Sequence, residues 1–88
     1  MNQKYTEAEL EEAHRAAALD EMTIAKSTVF GCFYCCKTFP PSTVKAYIDG
    51  PSHKWAHCPK CGIDAVISDD GAGLIDEQLL VEMKAHYF

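Results

Sequence analysis

Hydrophobic and polar positions alternate between two periods along this chain, and the switches mark its elements. Near the N-terminus, Leu10, Ala13, Ala17 and Leu19 form a thin apolar stripe among acidic residues and alanines. The stretch Thr6-Glu7-Ala8-Glu9 has capping-box spacing, in which the Thr6 hydroxyl accepts from the Glu9 amide and the Glu9 carboxylate reaches back. Alanine has the best helix propensity, and acidic residues suit the first turn. The pattern predicts one helix over residues 6–22, marginal by itself, in an N-terminal part (residues 1–26) that docks loosely on a body spanning residues 27–88.

The period then shortens. Residues 27–34, STVFGCFY, are β-branched and aromatic and predict a strand. In FPPSTVKAYIDGP a short helix is expected, capped by Ser42, with Val44, Tyr47 and Ile48 on its apolar face and Asp49-Gly50-Pro51 ending it. HKWAH and IDAVI predict two strands paired as a hairpin, and SDDGAG a loop. At the end, Leu80, Met83 and Tyr87 recur at i, i+3 and i+7, which predicts an amphipathic helix capped by Asp76.

With 88 residues the chain makes one domain with a modest core, a size at which a staple is usually needed. Five cysteines are the candidates. The start of the chain has no apolar run of the secretory kind, and no stretch approaches the ~20 apolar residues of a membrane span. The expectation is a cytoplasmic protein with reduced thiols, and an odd cysteine count fits a disulfide framework poorly.

Four of the cysteines fall in two pairs, Cys32-Phe33-Tyr34-Cys35 and Cys58-Pro59-Lys60-Cys61-Gly62, separated by 22 residues. A C-x-x-C turn aims two sulfurs at one ion while following amides donate to the first sulfur. Pro59 sets the turn, and Gly62 supplies the positive φ by which the chain leaves it. Four thiolates around one ion make a closed tetrahedral Zn²⁺ site. Cys32, Cys35, Cys58 and Cys61 are therefore the predicted ligands of one structural zinc. A thioredoxin-type redox pair would need a helix N-terminus directly behind its first cysteine, and no such pattern follows either pair. A structural zinc is worth ~10–16 kcal/mol, against the ~5–15 of a typical domain, so the metal would be a main source of the fold.

Cys36 adjoins Cys35 and reads as a small packing residue, with a spare ligand or redox-sensing thiol as the sharper alternative. His53 and His57 are alternative ligands, although His57 directly precedes Cys58, and neighbours on a strand face opposite ways. Trp55, Tyr34, Phe33 and Phe39 are core aromatics or, alternatively, a stacking surface for bases. His14-Arg15 reads as a solvated helix face, with a functional role as the alternative, and Asp64 as a surface strand residue, with pairing to a nearby base or orienting a ligand as the alternative. No nucleophile–base pair, open metal position or phosphate loop is recognisable, which argues against an enzyme.

The net charge of −5 is uneven: −4 over residues 1–25, +4 over 26–60 and −5 over 61–88. Loaded with zinc, the four thiolates would add about −2 more. Nucleic-acid binding draws on positive charge, so the overall sign disfavours it, although Lys37, Lys45, Lys54 and Lys60 keep a basic middle.

The stretches FGCFYCCKTFPPSTVKAYID and AHCPKCGIDAVI, followed by a helix ending in an aromatic pair, resemble a family of small bacterial cytoplasmic proteins with a GCFYC…F-x-P…CPxCGIDxVI pattern. The resemblance covers residues 30–88, with an echo at Ala13-His14-Arg15. It implies Cys32, Cys35, Cys58 and Cys61 as metal ligands, and it matches Gly62, Ile63, Asp64, Val66 and Ile67 behind them. Family members tend to carry an aliphatic residue at the place of Cys36, which favours packing there. They carry Thr or Ala near His57, which disfavours a histidine ligand. The resemblance supplies no activity. More distantly, the knuckles look like those of zinc-ribbon and treble-clef modules, an analogy of fold alone.

The whole reading is a single α+β domain with two zinc knuckles, a short antiparallel hairpin sheet and two to three helices. Its expected role is a non-enzymatic interaction module that binds another protein, with nucleic-acid binding as the alternative.

Overall fold

A computed structural model describes residues 4–73 and 75–88 of the chain. The elements run α1 (Glu7–Arg15), α2 (Glu21–Lys26), β1 (Phe30–Cys32), β2 (Lys37–Phe39), a 3₁₀ turn (Pro41–Thr43), β3 (Tyr47–Asp49), β4 (Lys54–Ala56), β5 (Val66–Ser68), the single turn α3 (Asp69–Ala72) and α4 (Glu77–Tyr87). The class is α+β with antiparallel sheets, as the sequence predicts.

One sheet has the order β2-β1-β5, with β1 central. Its register sets Phe30 opposite Phe39 on one side and opposite Ser68 on the other, and Cys32 opposite Lys37 and Val66. Every residue of β1 and β5 is buried. α4 crosses close over β1: a Cβ on Gly31 would lie 2.8 Å from Ile75 Cγ2 and 3.1 Å from a Leu80 methyl. Phe30, Ile67, Val66, Leu80, Met83, Leu10 and Leu19 fill the centre of the core.

The predicted single N-terminal helix is instead two. The Thr6–Glu9 capping box is present at the start of α1, which ends at Arg15. Ala16, Ala17 and Ala18 then close tight turns onto Ala13, His14 and Arg15. Leu19 leaves the helix to exchange both backbone hydrogen bonds with Lys54 (2.9 and 2.7 Å), and Asp20 caps α2 through the Thr23 amide (2.7 Å). Alanine propensity is a weak prior, outweighed here by the burial of Leu19 and a fresh cap. Leu10 and Ala13 of α1 lie in the same core as the sheet.

Three further expectations are corrected. The helix expected after Ser42 reduces to the 3₁₀ turn, in which Thr43 Oγ1 donates to the Pro40 carbonyl (2.7 Å). Tyr47 and Ile48 are good strand formers and find a partner in β4, the turn between them closing by a bond from Gly50 N–H to the His53 carbonyl (2.7 Å). HKWAH and IDAVI do contain strands, yet these do not pair with each other: β4 pairs with β3, and β5 with β1. SDDGAG is not all loop, since α3 begins at Asp69. The Asp69 carboxylate accepts from the Thr28 hydroxyl and from the Thr28 and Val29 amides, tying the start of β1 to the end of β5.

The C-terminal helix matches its prediction. Asp76 caps α4 through the Leu79 amide (2.8 Å), with Leu80 and Met83 buried. Asp76 also accepts from Lys4 Nζ (3.0 Å) and the Tyr5 hydroxyl (3.1 Å). Six residues on, Glu82 accepts from the Lys4 and Tyr5 amides (3.0 and 2.9 Å) and from Gln78. Two carboxylates of α4 thus clasp the segment leading into α1.

Candidate metal centre

Cys32 ends the central strand β1, and Cys35 lies in the turn toward β2. Cys58 follows β4, and Cys61 lies in the turn after it. The two turns share one backbone design. In each, the amide two residues on donates to the first sulfur: Tyr34 N–H to Cys32 Sγ and Lys60 N–H to Cys58 Sγ, both 3.4 Å. In each, the carbonyl of the first cysteine accepts from the amide four residues on, Cys36 or Gly62, at 2.9 Å. That fourth residue is left-handed in both, with φ +61° at Cys36 and +80° at Gly62.

The fold brings both turns together. The four sulfurs all lie within 4.8 Å of one another. Cys32 Sγ is 3.6 Å from Cys61 Sγ, and Cys35 Sγ is 3.7 Å from Cys58 Sγ. A disulfide would need about 2.05 Å. A tetrahedron with metal–sulfur bonds of about 2.3 Å has edges of about 3.8 Å, close to both cross-turn separations. All five cysteines are free thiols.

The electrostatics fit a cation. Burial pushes the Cys32 thiol far above its ordinary range, against the opposing Cys35 and Tyr34 amides. Cys35 is also raised, by burial and by the Cys58 sulfur. At Cys58 burial pushes upward too, but the Cys61 and Lys60 amides outweigh it and the thiol titrates below its usual value. Thiolates in such surroundings need a positive partner, and a metal ion supplies it. These four residues can hold a metal ion.

The other candidates fall outside this cluster. Cys36 packs half-buried against the core. His57 Nδ1 donates to the Gly62 carbonyl (3.2 Å), and His53 Nδ1 pairs with Ser52 Oγ (3.1 Å). Phe33 and Phe39 are buried, while Tyr34 is exposed and Trp55 half-buried. Phe33 N–H donates to the Ala65 carbonyl (2.9 Å), which anchors the first turn to the segment leading into β5. His14 is not simply a solvated residue: its ring stacks on Tyr87 at 4.2 Å. Asp64 is exposed.

No protein-family model matches the chain, and neither does any curated protein or solved structure. The metal centre therefore rests on its own geometry.

One grouping carries no signal in the sequence: Glu7, Glu11 and His86 gather on the exposed surface. Glu7 and Glu11 are one turn apart on α1, but only tertiary packing brings His86 to them. Among the described residues no helix is long and apolar enough to cross a membrane.

Proposed function

We propose that Cys32, Cys35, Cys58 and Cys61 hold one structural Zn²⁺, and that the protein is a small intracellular module, of zinc-ribbon or treble-clef type, that works by binding another protein rather than by catalysis. The observation that carries the metal reading is the set of four sulfurs within 4.8 Å of one another, with cross-turn separations of 3.6 and 3.7 Å. Four soft thiolates in a tetrahedron suit zinc or iron, and zinc is the usual occupant of a closed structural site. A site with four protein ligands has no position for the water that catalytic zinc requires.

Metal analysis of protein purified without added zinc tests the reading. One zinc per chain is expected, and iron or no metal at all would overturn it. The acidic net charge sets a protein partner ahead of nucleic acid. A gel shift with single-stranded and duplex oligonucleotides is expected to stay blank. A shift that weakens steeply with salt would move the reading to a phosphate-binding role.

A further inference from the structure

A cleft of about 330 Å³ opens beside the first cysteine turn, lined by His14, Phe33, Trp55, Asp64, Tyr87 and Phe88. Its walls come from five places in the chain, Asp64 from the segment leading into β5. His14 belongs to α1, Phe33 sits between Cys32 and Cys35, Trp55 is the middle of β4, and Tyr87 and Phe88 end the chain. Ring contacts fix much of the wall: His14 stacks on Tyr87, and Phe33 touches Tyr87 at 6.0 Å and Phe88 at 5.8 Å between centroids. The volume sits at the small end of ligand pockets, which suits a head group rather than a large molecule.

We propose that this cleft binds a methylated ammonium head group, held against the aromatic faces and opposite the Asp64 carboxylate. Aromatic faces carry negative potential and attract cations that shed water easily, and alkylated ammonium groups are the best of these. Asp64 supplies the formal counter-charge. Among the described residues it makes no hydrogen bond or ion pair, so its charge is uncommitted. A neutral apolar guest would bury that carboxylate without recompense. An anion would meet that carboxylate directly. The outer rim shows the same chemistry in miniature: Lys84 Nζ lies over the Tyr34 ring, 5.1 Å from its centre, and Tyr34 packs edge-on against Phe88. This inference does not depend on which metal the cysteines hold.

Trp55 is the only tryptophan, so its fluorescence reports on the cleft directly. The test titrates the purified, metal-loaded protein with choline and with 3,3-dimethylbutan-1-ol, which has the same shape without the charge. Choline is expected to give a saturable change, with the alcohol weaker by about fivefold or more. Asp64→Asn removes the charge at an exposed position with no hydrogen bond to lose. It should weaken choline several-fold and leave the alcohol unchanged. Equal binding of the two probes, no saturable response to choline, or an Asp64→Asn protein that binds choline as before would each overturn the proposal.

Discussion

The two cysteine turns are near copies in backbone and opposites in setting. The first grows out of β1, the buried central strand, and its Phe33 is buried apart from the part that lines the cleft. The second follows β4, a strand of the two-stranded sheet, and its Pro59 and Lys60 face solvent. Apart from the sulfurs, the second turn is held by its own bonds, from Cys58 N–H to the Ile63 carbonyl and from Gly62 N–H to the Cys58 carbonyl, both 2.9 Å. The same motif is thus braced by the central strand and a buried aromatic in one place, and mostly by its own backbone bonds in the other. A metal ion would tie the β2-β1-β5 sheet directly to the β3-β4 sheet, which is otherwise held by the Leu19–Lys54 bridge and the buried Ala56.

The largest expected effect follows from that asymmetry. Chelation, or Cys58→Ser, should abolish cooperative thermal melting, because a structural zinc is worth ~10–16 kcal/mol and the domain has no comparable reserve. Hydrogen exchange should lose protection first over residues 47–62 and last over β1 and β5. Uniform loss, or melting that stays unchanged, would break the contrast between the two turns.

Gly31→Ala strikes the braced side instead. Its methyl would press on Ile75 and Leu80, and overpacking of this kind costs about 1–3 kcal/mol. Urea denaturation should show the loss, with metal content unchanged.

Smaller still is the charge of the α4 clasp. The Leu79 amide, then Lys4 and Tyr5, hold the Asp76 carboxyl below its ordinary value. Glu82 is also lowered: burial opposes this, but the Tyr5 amide, Gln78 and the Lys4 amide outweigh it. A depressed carboxyl stabilises the fold above its unfolded-state pKa, about 4, and that stabilisation disappears as pH falls through the folded value. Asp76→Asn keeps a capping side chain and removes the charge. Its urea midpoint should therefore lie below the parent's at pH 7, with the gap closing below about pH 4.

The smallest pair compares the turns residue for residue. Gly62→Ala puts a Cβ on a left-handed residue and should cost about 1 kcal/mol, although space around it is open. Cys36→Gly relieves the same conformation and loses some packing, so it should change stability by less than about 1 kcal/mol. Metal content should not change in either variant. Loss of the ion from Cys36→Gly would make Cys36 a ligand.

What was legible in the sequence was local. The Thr6–Glu9 box, the Asp76 cap and the two C-x-x-C turns each lie within a few residues, and each signal was met. The pairing of strands was not legible, because β5 lies 34 residues beyond β1 and no local pattern names its partner. The break after Arg15 was hidden for the same reason: it is made by Leu19 meeting Lys54, across 35 positions. Val44-Lys45-Ala46-Tyr47-Ile48 suits a helical face by spacing, and only the presence of β4 alongside decides for strand. The left-handed Cys36 was missed, although its place four residues after Cys32 matches that of Gly62 after Cys58.

The Leu19–Lys54 bridge also bears on how the molecule can be cut. It covers the outer edge of β4, while Leu10 and Ala13 of α1 pack into the core beside β5 and α4. A fragment starting at residue 27 would retain all four sulfurs yet present a raw strand border beside an uncovered apolar floor. Such a piece should self-associate through that border, so shortened versions made for study would sample the chemistry of clumping before that of the native surface.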